Sequence, residues 1–204
     1  SGERTQSRNA TQGSIKAAYY NPAGLVNLAE GFHVDLGNRI LYLKTTTEVS
    51  PVNLESESET WTTLLPNAAV AWRIGGGALF LTFDIREGGA GGFWNDVASM
   101  NLLGYALNPG GFGMTAGTNS LLTLVELSTY TYGVTLGGAF RLADWLAVSG
   151  GIRYLQKNSS GYFEGLAVAG GALYNRLERS AYGYQGILGA MITPMQGLNI
   201  ALNF

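Results

Sequence analysis

The sequence predicts an all-β protein, an antiparallel transmembrane β-barrel, on three observations. Charged residues make up only 13% of the 204, about half the ~25% of an ordinary soluble domain, so little of the surface is built to face bulk water. No stretch reaches the ~18 consecutive apolar residues that a spanning helix needs. Segment after segment also alternates apolar with small or polar residues at a period of two, as expected for strands with two unlike faces. Inside a bilayer every backbone N–H and C=O must find a partner within the protein, and strands achieve that only in a closed barrel.

From Phe32 the even positions carry Phe32, Val34, Leu36, Ile40 and Tyr42, against His33, Asp35, Gly37 and Arg39. A second segment sets Leu64, Ala68, Val70, Trp72 and Ile74 against Asn67, Ala69, Ala71 and Arg73. After Gly75-Gly76-Gly77 the parity switches, with Leu79, Leu81, Phe83 and Ile85 against Phe80, Thr82, Asp84 and Arg86. Two more segments run Tyr130 to Leu142 and Leu146 to Tyr154, and a sixth runs Tyr182 to Ile192. A seventh begins at Leu198. Each is near the ~9–11 residues that cross a bilayer when tilted. Tight turns at Gly75–Gly77, Ala143-Asp144 and Pro194–Gly197 alternate with long links at about 46–60, 87–122 and 158–179. Membrane barrels show this asymmetry, with short periplasmic turns and long external loops. A soluble sandwich or lipocalin shares the alternation but does not readily explain the connections.

Composition narrows the function classes. A net charge of −2 without a basic run gives no surface for nucleic acid. Cysteine is absent and His33 is the only histidine, so no thiolate or His-cluster metal site is expected, and no cofactor. His33 is also the only candidate base for a Ser/His pair, and nothing around it is distinctive, so no catalytic set is expected.

The segment Ala17-Ala18-Tyr19-Tyr20-Asn21-Pro22-Ala23-Gly24-Leu25 precedes the first strand and is not strand-like. By itself Asn-Pro-Ala-Gly is a turn with a helical start. Placed before a barrel strand, Asn21, Pro22 and Ala23 resemble the NPA signature of the FadL family of outer-membrane long-chain fatty-acid transporters. The resemblance continues through Leu65-Pro66-Asn67, through Gly137–Val148 around a short turn, and through Gly186–Ala190 with Pro194–Leu202. It implies an N-terminal hatch over 1–31, plugging the periplasmic side, and barrel strands over 32–204. The family's barrel has 14 strands, whereas this chain supplies about seven. A barrel needs an even number and no open edge, so the chain reads as the N-terminal half of a longer, monomeric protein. Two seven-stranded chains completing one barrel is the other arrangement.

The links bear on the ligand. External loops are usually polar, yet 87–122 holds Phe93, Trp94, Leu102, Leu103, Tyr105, Leu107, Phe112 and Met114, and 158–179 holds Phe163 and Leu166. So much apolar area needs a partner. Either it captures a hydrophobic molecule, or the two links pack on each other as a cap. Gly88-Gly89-Ala90-Gly91-Gly92 breaks strand pairing. It serves either as a flexible loop base or as the inward kink of the third strand that, in the resembling family, opens the wall sideways to lipid. On the kink reading, valines at Gly89 and Gly91 restore pairing and close the gap. Lumenal Arg39, Arg73, Arg86, Arg141, Arg153 and Lys157 either meet a carboxylate head group, with Arg39, Arg153 and Lys157 the candidates, or pair with Asp35, Asp84 and the acidic residues of the hatch. The resemblance thus implies passive uptake of hydrophobic compounds, fatty acids by default and aromatic hydrocarbons otherwise, with outer-membrane lipid as the surroundings. A structural or adhesive barrel whose apolar loops bind another protein is the alternative. An aqueous porin would have polar loops.

Overall fold

The computed structural model describes residues 10–49, 54–88, 91–94, 120–167, 171–195 and 198–204. The strands are β1 (Gly31–Val49), β2 (Leu54–Ile74), β3 (Gly77–Gly88), β4 (Gly92–Trp94), β5 (Ser120–Ala143), β6 (Leu146–Ala167), β7 (Ala172–Met195) and β8 (Leu198–Asn203). They form one antiparallel half-barrel sheet in the order β1-β2-β3-β5-β6-β7-β8, with β4 added to β5. All seven expected strands are present, and β4 is an eighth that alternation over three residues cannot reveal.

The outward face of the sheet is apolar and yet exposed. Phe32, Leu36, Leu79, Leu136, Ile152 and Leu188 are exposed, while Ala69, Ala71, Phe80, Thr135, Ala147 and Met191 on the alternate positions are buried. Apolar surface gains about 25 cal/mol per Å² on leaving water, so a wall of this extent is stable only against an apolar medium or partner. The aliphatic band is bordered by aromatic rings. At the tight-turn end stand Phe32, Trp72, Phe140 and Trp145. At the other end Tyr42 and Trp61 lie 4.7 Å apart, Phe83 and Tyr130 flank Tyr132, and Tyr154 meets Tyr184 at 5.5 Å. On β5, Tyr130 and Phe140 mark the two borders, a separation close to the ~9–11 residues of a tilted spanning strand.

The links are shorter than the sequence indicates, because the strands run on through them. β1 and β2 pair as far as Val49↔Leu54, and β6 and β7 as far as Leu166↔Ala172. Stretches such as Leu54–Thr60 and Asn158–Gly161 are polar, and polarity resembles a loop. They nevertheless alternate, with Glu57 and Glu59 outward and Ser58 buried. A strand wet on its outer side loses the apolar signal and keeps its backbone ladder. The turn after β2 is tight because Gly75 adopts φ +50°, a conformation costly for any residue with a Cβ.

The N-terminal segment lies on the buried face. A short helix α1 (Ala17–Tyr20) and a 3-10 helix (Pro22–Asn27) bury Ala17, Ala18, Ala23, Leu25 and Val26 against Ala69, Ala71, Ala78, Phe80, Ala139, Ala147 and Met191. Most of these strand positions are alanine, and the short side chains allow the helices to approach the sheet. Asn21 starts the 3-10 helix by accepting the Ala23 N–H at 3.2 Å, with Pro22 in the first position. Both choices suit a helix start, since the asparagine satisfies an orphan N–H and proline has none to satisfy.

Candidate functional site: a filled end, a broken ladder and a cationic cavity

The N-terminal segment is tied down at two points. Asn21 is fully buried, and its amide donates to Ala190 O at 3.0 Å on β7 and to Leu202 O at 3.4 Å on β8. Asn203 donates back to Tyr20 O. Gly189 is required here, because a Cβ on it would collide with the Asn21 and Ser149 side-chain oxygens. At the far end Arg73 Nε donates to Val26 O at 2.9 Å, and Arg141 Nη2 donates to Val26 O at 3.1 Å and Asn27 Oδ1 at 2.6 Å. Two guanidinium groups on one carbonyl, Val26 O, in the last turn of a helix suit the negative end of its dipole. The sequence grouped Arg73 and Arg141 with the lumenal cations. The structure uses both as a clamp, and their places beside two tight turns were the available signal.

Asn21→Ala should remove the two side-chain bonds to the β7 and β8 carbonyls and leave the buried Ala23 N–H without its partner, costing about 1–3 kcal/mol. Trypsin cleavage after Lys16 in the folded protein should accelerate accordingly, and an unchanged rate would show that Asn21 does not hold the segment.

The wall itself is interrupted. β2 pairs with β3 only from Ala68↔Phe83 to Ile74↔Gly77. Beyond that, β3 stays with β5 through Asp84↔Gly133 to Gly88↔Tyr130, while β2 stays with β1 out to Leu54. Both parting strands are irregular nearby, with register shifts at Arg39/Leu41 and Ile85/Glu87, and Pro66 on β2 has no N–H to offer a ladder. Further along, β2 is approached by β4 instead, where Phe93 N–H donates to Ser58 Oγ at 2.9 Å. The lower corner of the break touches the N-terminal segment, for Asn67 donates to Tyr19 OH at 3.3 Å. Burial pushes the Tyr19 phenol above its ordinary value, and the Asn67 amide partly offsets this, so the contact involves a neutral hydroxyl at physiological pH.

Two glycines of the expected kink have a defined task. Gly88 has φ +86°, and a Cβ on it would overlap Thr129 O; one on Gly91 would overlap Leu127 O. Gly92 begins β4, and Gly89 lies outside the described residues. Valine at Gly91 therefore would not restore pairing, as the sequence suggests; it would push β3 and β4 off β5.

On the inward face beside the break is a cavity of about 390 Å³ lined by Arg86, Glu87, Thr131, Arg153, Lys157 and Gln185, among others. Arg86 pairs with Asp84 at 2.9 Å, and Lys157 reaches Glu87 at 3.9 Å. Arg153 donates to Thr135 Oγ1 at 2.9 Å and Gln185 Oε1 at 3.3 Å. Thr131 is only 7% exposed, yet its hydroxyl and the Nη2 of Arg86 have no hydrogen-bonding partner among the described residues. Arg153 and Lys157 are thus brought together, joined by Arg86 and by Thr131, which nothing in the sequence marked. Arg39 is exposed on β1 and does not line this cavity.

Of the apolar residues expected to capture a ligand, Phe163 is on β6 and buried on the inward face near Val125 and Leu127. Phe93 is on β4 and exposed, while Trp94 and Leu166 lie on strands β4 and β6. Leu102, Leu103, Tyr105, Leu107, Phe112 and Met114 lie outside the described residues.

Fold and site together define a class: an antiparallel half-barrel with an apolar outer wall, its inner face covered at one end by an N-terminal segment and its ladder broken beside a cationic cavity. No family model matches the sequence, and no curated protein matches it. Among solved structures the chain is similar to the crystal structure of a Pseudomonas aeruginosa FadL homologue, with a TM-score of 0.57 over 95% of this chain and 47% of that one, at 13% identity. The chain thus spans about half the length of that protein, and the fold is a FadL-like partial β-barrel.

Proposed function

We propose that this chain forms part of the wall of an outer-membrane barrel that passes hydrophobic compounds inward, without catalysis. The observation that carries the reading is the pairing of a filled end with an open side. The N-terminal segment, acting as a hatch, covers the inner face next to the tight turns, and the β2–β3 ladder breaks within a wall whose outer face is apolar. A molecule taken up at the external end leaves sideways, through the break, into lipid. That path avoids the aqueous compartment, where an apolar cargo would lose about 25 cal/mol for every Å² returned to water. Phe93 and Phe163 belong to the capturing surface.

Long-chain fatty acids are the cargo that best fits the cavity. A carboxylate only accepts hydrogen bonds, and Thr131 Oγ1, Arg86 Nη2, Arg153 and Lys157 supply the donors. Two of the four are the unpartnered buried atoms described above. Arg153→Gln with Lys157→Gln removes two charge-assisted bonds of about 1.5–3 kcal/mol each. Together these predict a ~100- to 10,000-fold loss of affinity for a fatty acid. Affinity for the alkane of equal length should stay the same. Measured by displacement of a fluorescent fatty acid, equal losses for both ligands would exclude head-group recognition at this cavity. Proteoliposomes that fail to take up either ligand would remove the transport reading and favour a structural or adhesive barrel.

A further inference from the structure

The outward surface just past the tyrosines has a character of its own. On β5, β6 and β7 the outward positions change from Tyr130, Tyr154 and Tyr184 to Ser128, Asn158, Ser160, Glu178 and Ser180, and these surround a depression of about 360 Å³. The side chains interlock across strands: Ser128 Oγ and Ser160 Oγ lie 2.8 Å apart, and Ser180 Oγ donates to Asn158 Oδ1 at 3.2 Å. Each hydroxyl has one donor and two acceptor sites, so every member of such a pair keeps hydrogen-bonding capacity free. Among the described residues that line the depression, one carboxylate, Glu178, is matched by one guanidinium, Arg179, and Glu178 also pairs with Arg176 at 2.6 Å.

We infer that this depression is a binding site for the sugar head group of a glycolipid in the outer leaflet. The inference rests on the membrane-barrel reading above, since the aromatic border then marks the level where acyl chains give way to head groups. Whatever lies against an outward surface at that height is a head group. Three serines and an asparagine, with mixed donor and acceptor capacity and Tyr130 at the lower rim, suit a polyol, which also donates and accepts. A phosphate offers acceptors only, and an anion-selective site would need an excess of cations that this surface lacks. The site differs from the cationic cavity in face as well as chemistry, because the cavity is lined from the inward positions of the same strands.

The test uses the protein in its native membrane form, reconstituted in phosphatidylglycerol vesicles with and without rough-type lipopolysaccharide. The wild type should insert in both, and its thermal unfolding midpoint should rise only with the glycolipid. Lipopolysaccharide should also remain bound in native mass spectrometry. Ser160→Phe should abolish both effects while inserting normally in phosphatidylglycerol, and Ser128→Ala with Ser160→Ala should weaken them if the bulkier change impairs folding. Equal glycolipid retention by wild type and variants would overturn the inference, as would an equal midpoint shift from phosphatidylglycerol alone. Failure of the wild type to insert in any vesicle would instead refute the membrane reading beneath it.

Discussion

Uptake should fall to the level of empty vesicles when a bulky apolar thiol reagent is attached at Ile85→Cys. Ile85 is the outward position on β3 just beyond Phe83, where β2 and β3 part, so an adduct there fills the mouth of the break from the lipid side. The experiment is clean because the sequence contains no cysteine. The same reagent at Tyr154→Cys on β6, which is paired on both sides with Val134 and Tyr184, should leave uptake unchanged. Reduction of a mixed disulfide at position 85 should restore it. Uptake that survives complete modification of Ile85→Cys would rule out exit through the break and direct attention to the N-terminal segment, where Pro22 is the next residue to change. A glycine substitution is a poorer probe. Gly88→Val would fail for reasons of backbone strain, about 1–3 kcal/mol for the positive φ alone, before it reported on transport.

Membrane insertion should be nearly as sensitive to one outward charge. Leu136 is 64% exposed on the apolar face of β5, between the aromatic borders. Leu136→Arg should cost about 2–4 kcal/mol if that face meets the bilayer midplane, seen as a lower denaturant midpoint in folding from urea into vesicles. The inward control requires care, because the inner face is not uniformly tolerant. Thr135 is fully buried and accepts the Arg153 bond, so an arginine there would crowd a second guanidinium onto the first. Gly183 is the better choice, as a Cβ on it meets nothing within 4 Å. Gly183 lines the cavity that holds Arg86, Arg153 and Lys157, so a carboxylate is the charge it accepts, and Gly183→Glu should fold like the wild type. Equal destabilisation by the outward and the inward charge would mean that the exposed wall does not face lipid.

The sequence by itself determined the strands, their faces and their tight turns. Period two is a local property: Leu79 and Phe80 point to opposite sides because consecutive Cβ atoms must, and Gly75 can be read as a turn because φ above zero is cheap only for glycine. The Asn21-Pro22 helix start was legible for the same reason, being settled within three residues. What only the tertiary structure decided depends on partners distant in the chain. Strand ends were misjudged because Ser58 and Asn158 continue a ladder whose other half lies elsewhere, and polarity conceals that. The break between β2 and β3 is a matter of register, set by which strand Asp84–Gly88 keeps as its neighbour, and no local pattern encodes a hydrogen bond that is not made. The arginines divide in the same way. Arg73 and Arg141 clamp Val26, while Arg86 and Arg153 line a cavity with Thr131. All four share the inward parity, and only their distance from the N-terminal segment, fixed when the sheet curves around it, assigns one pair to holding that segment and the other to the cavity.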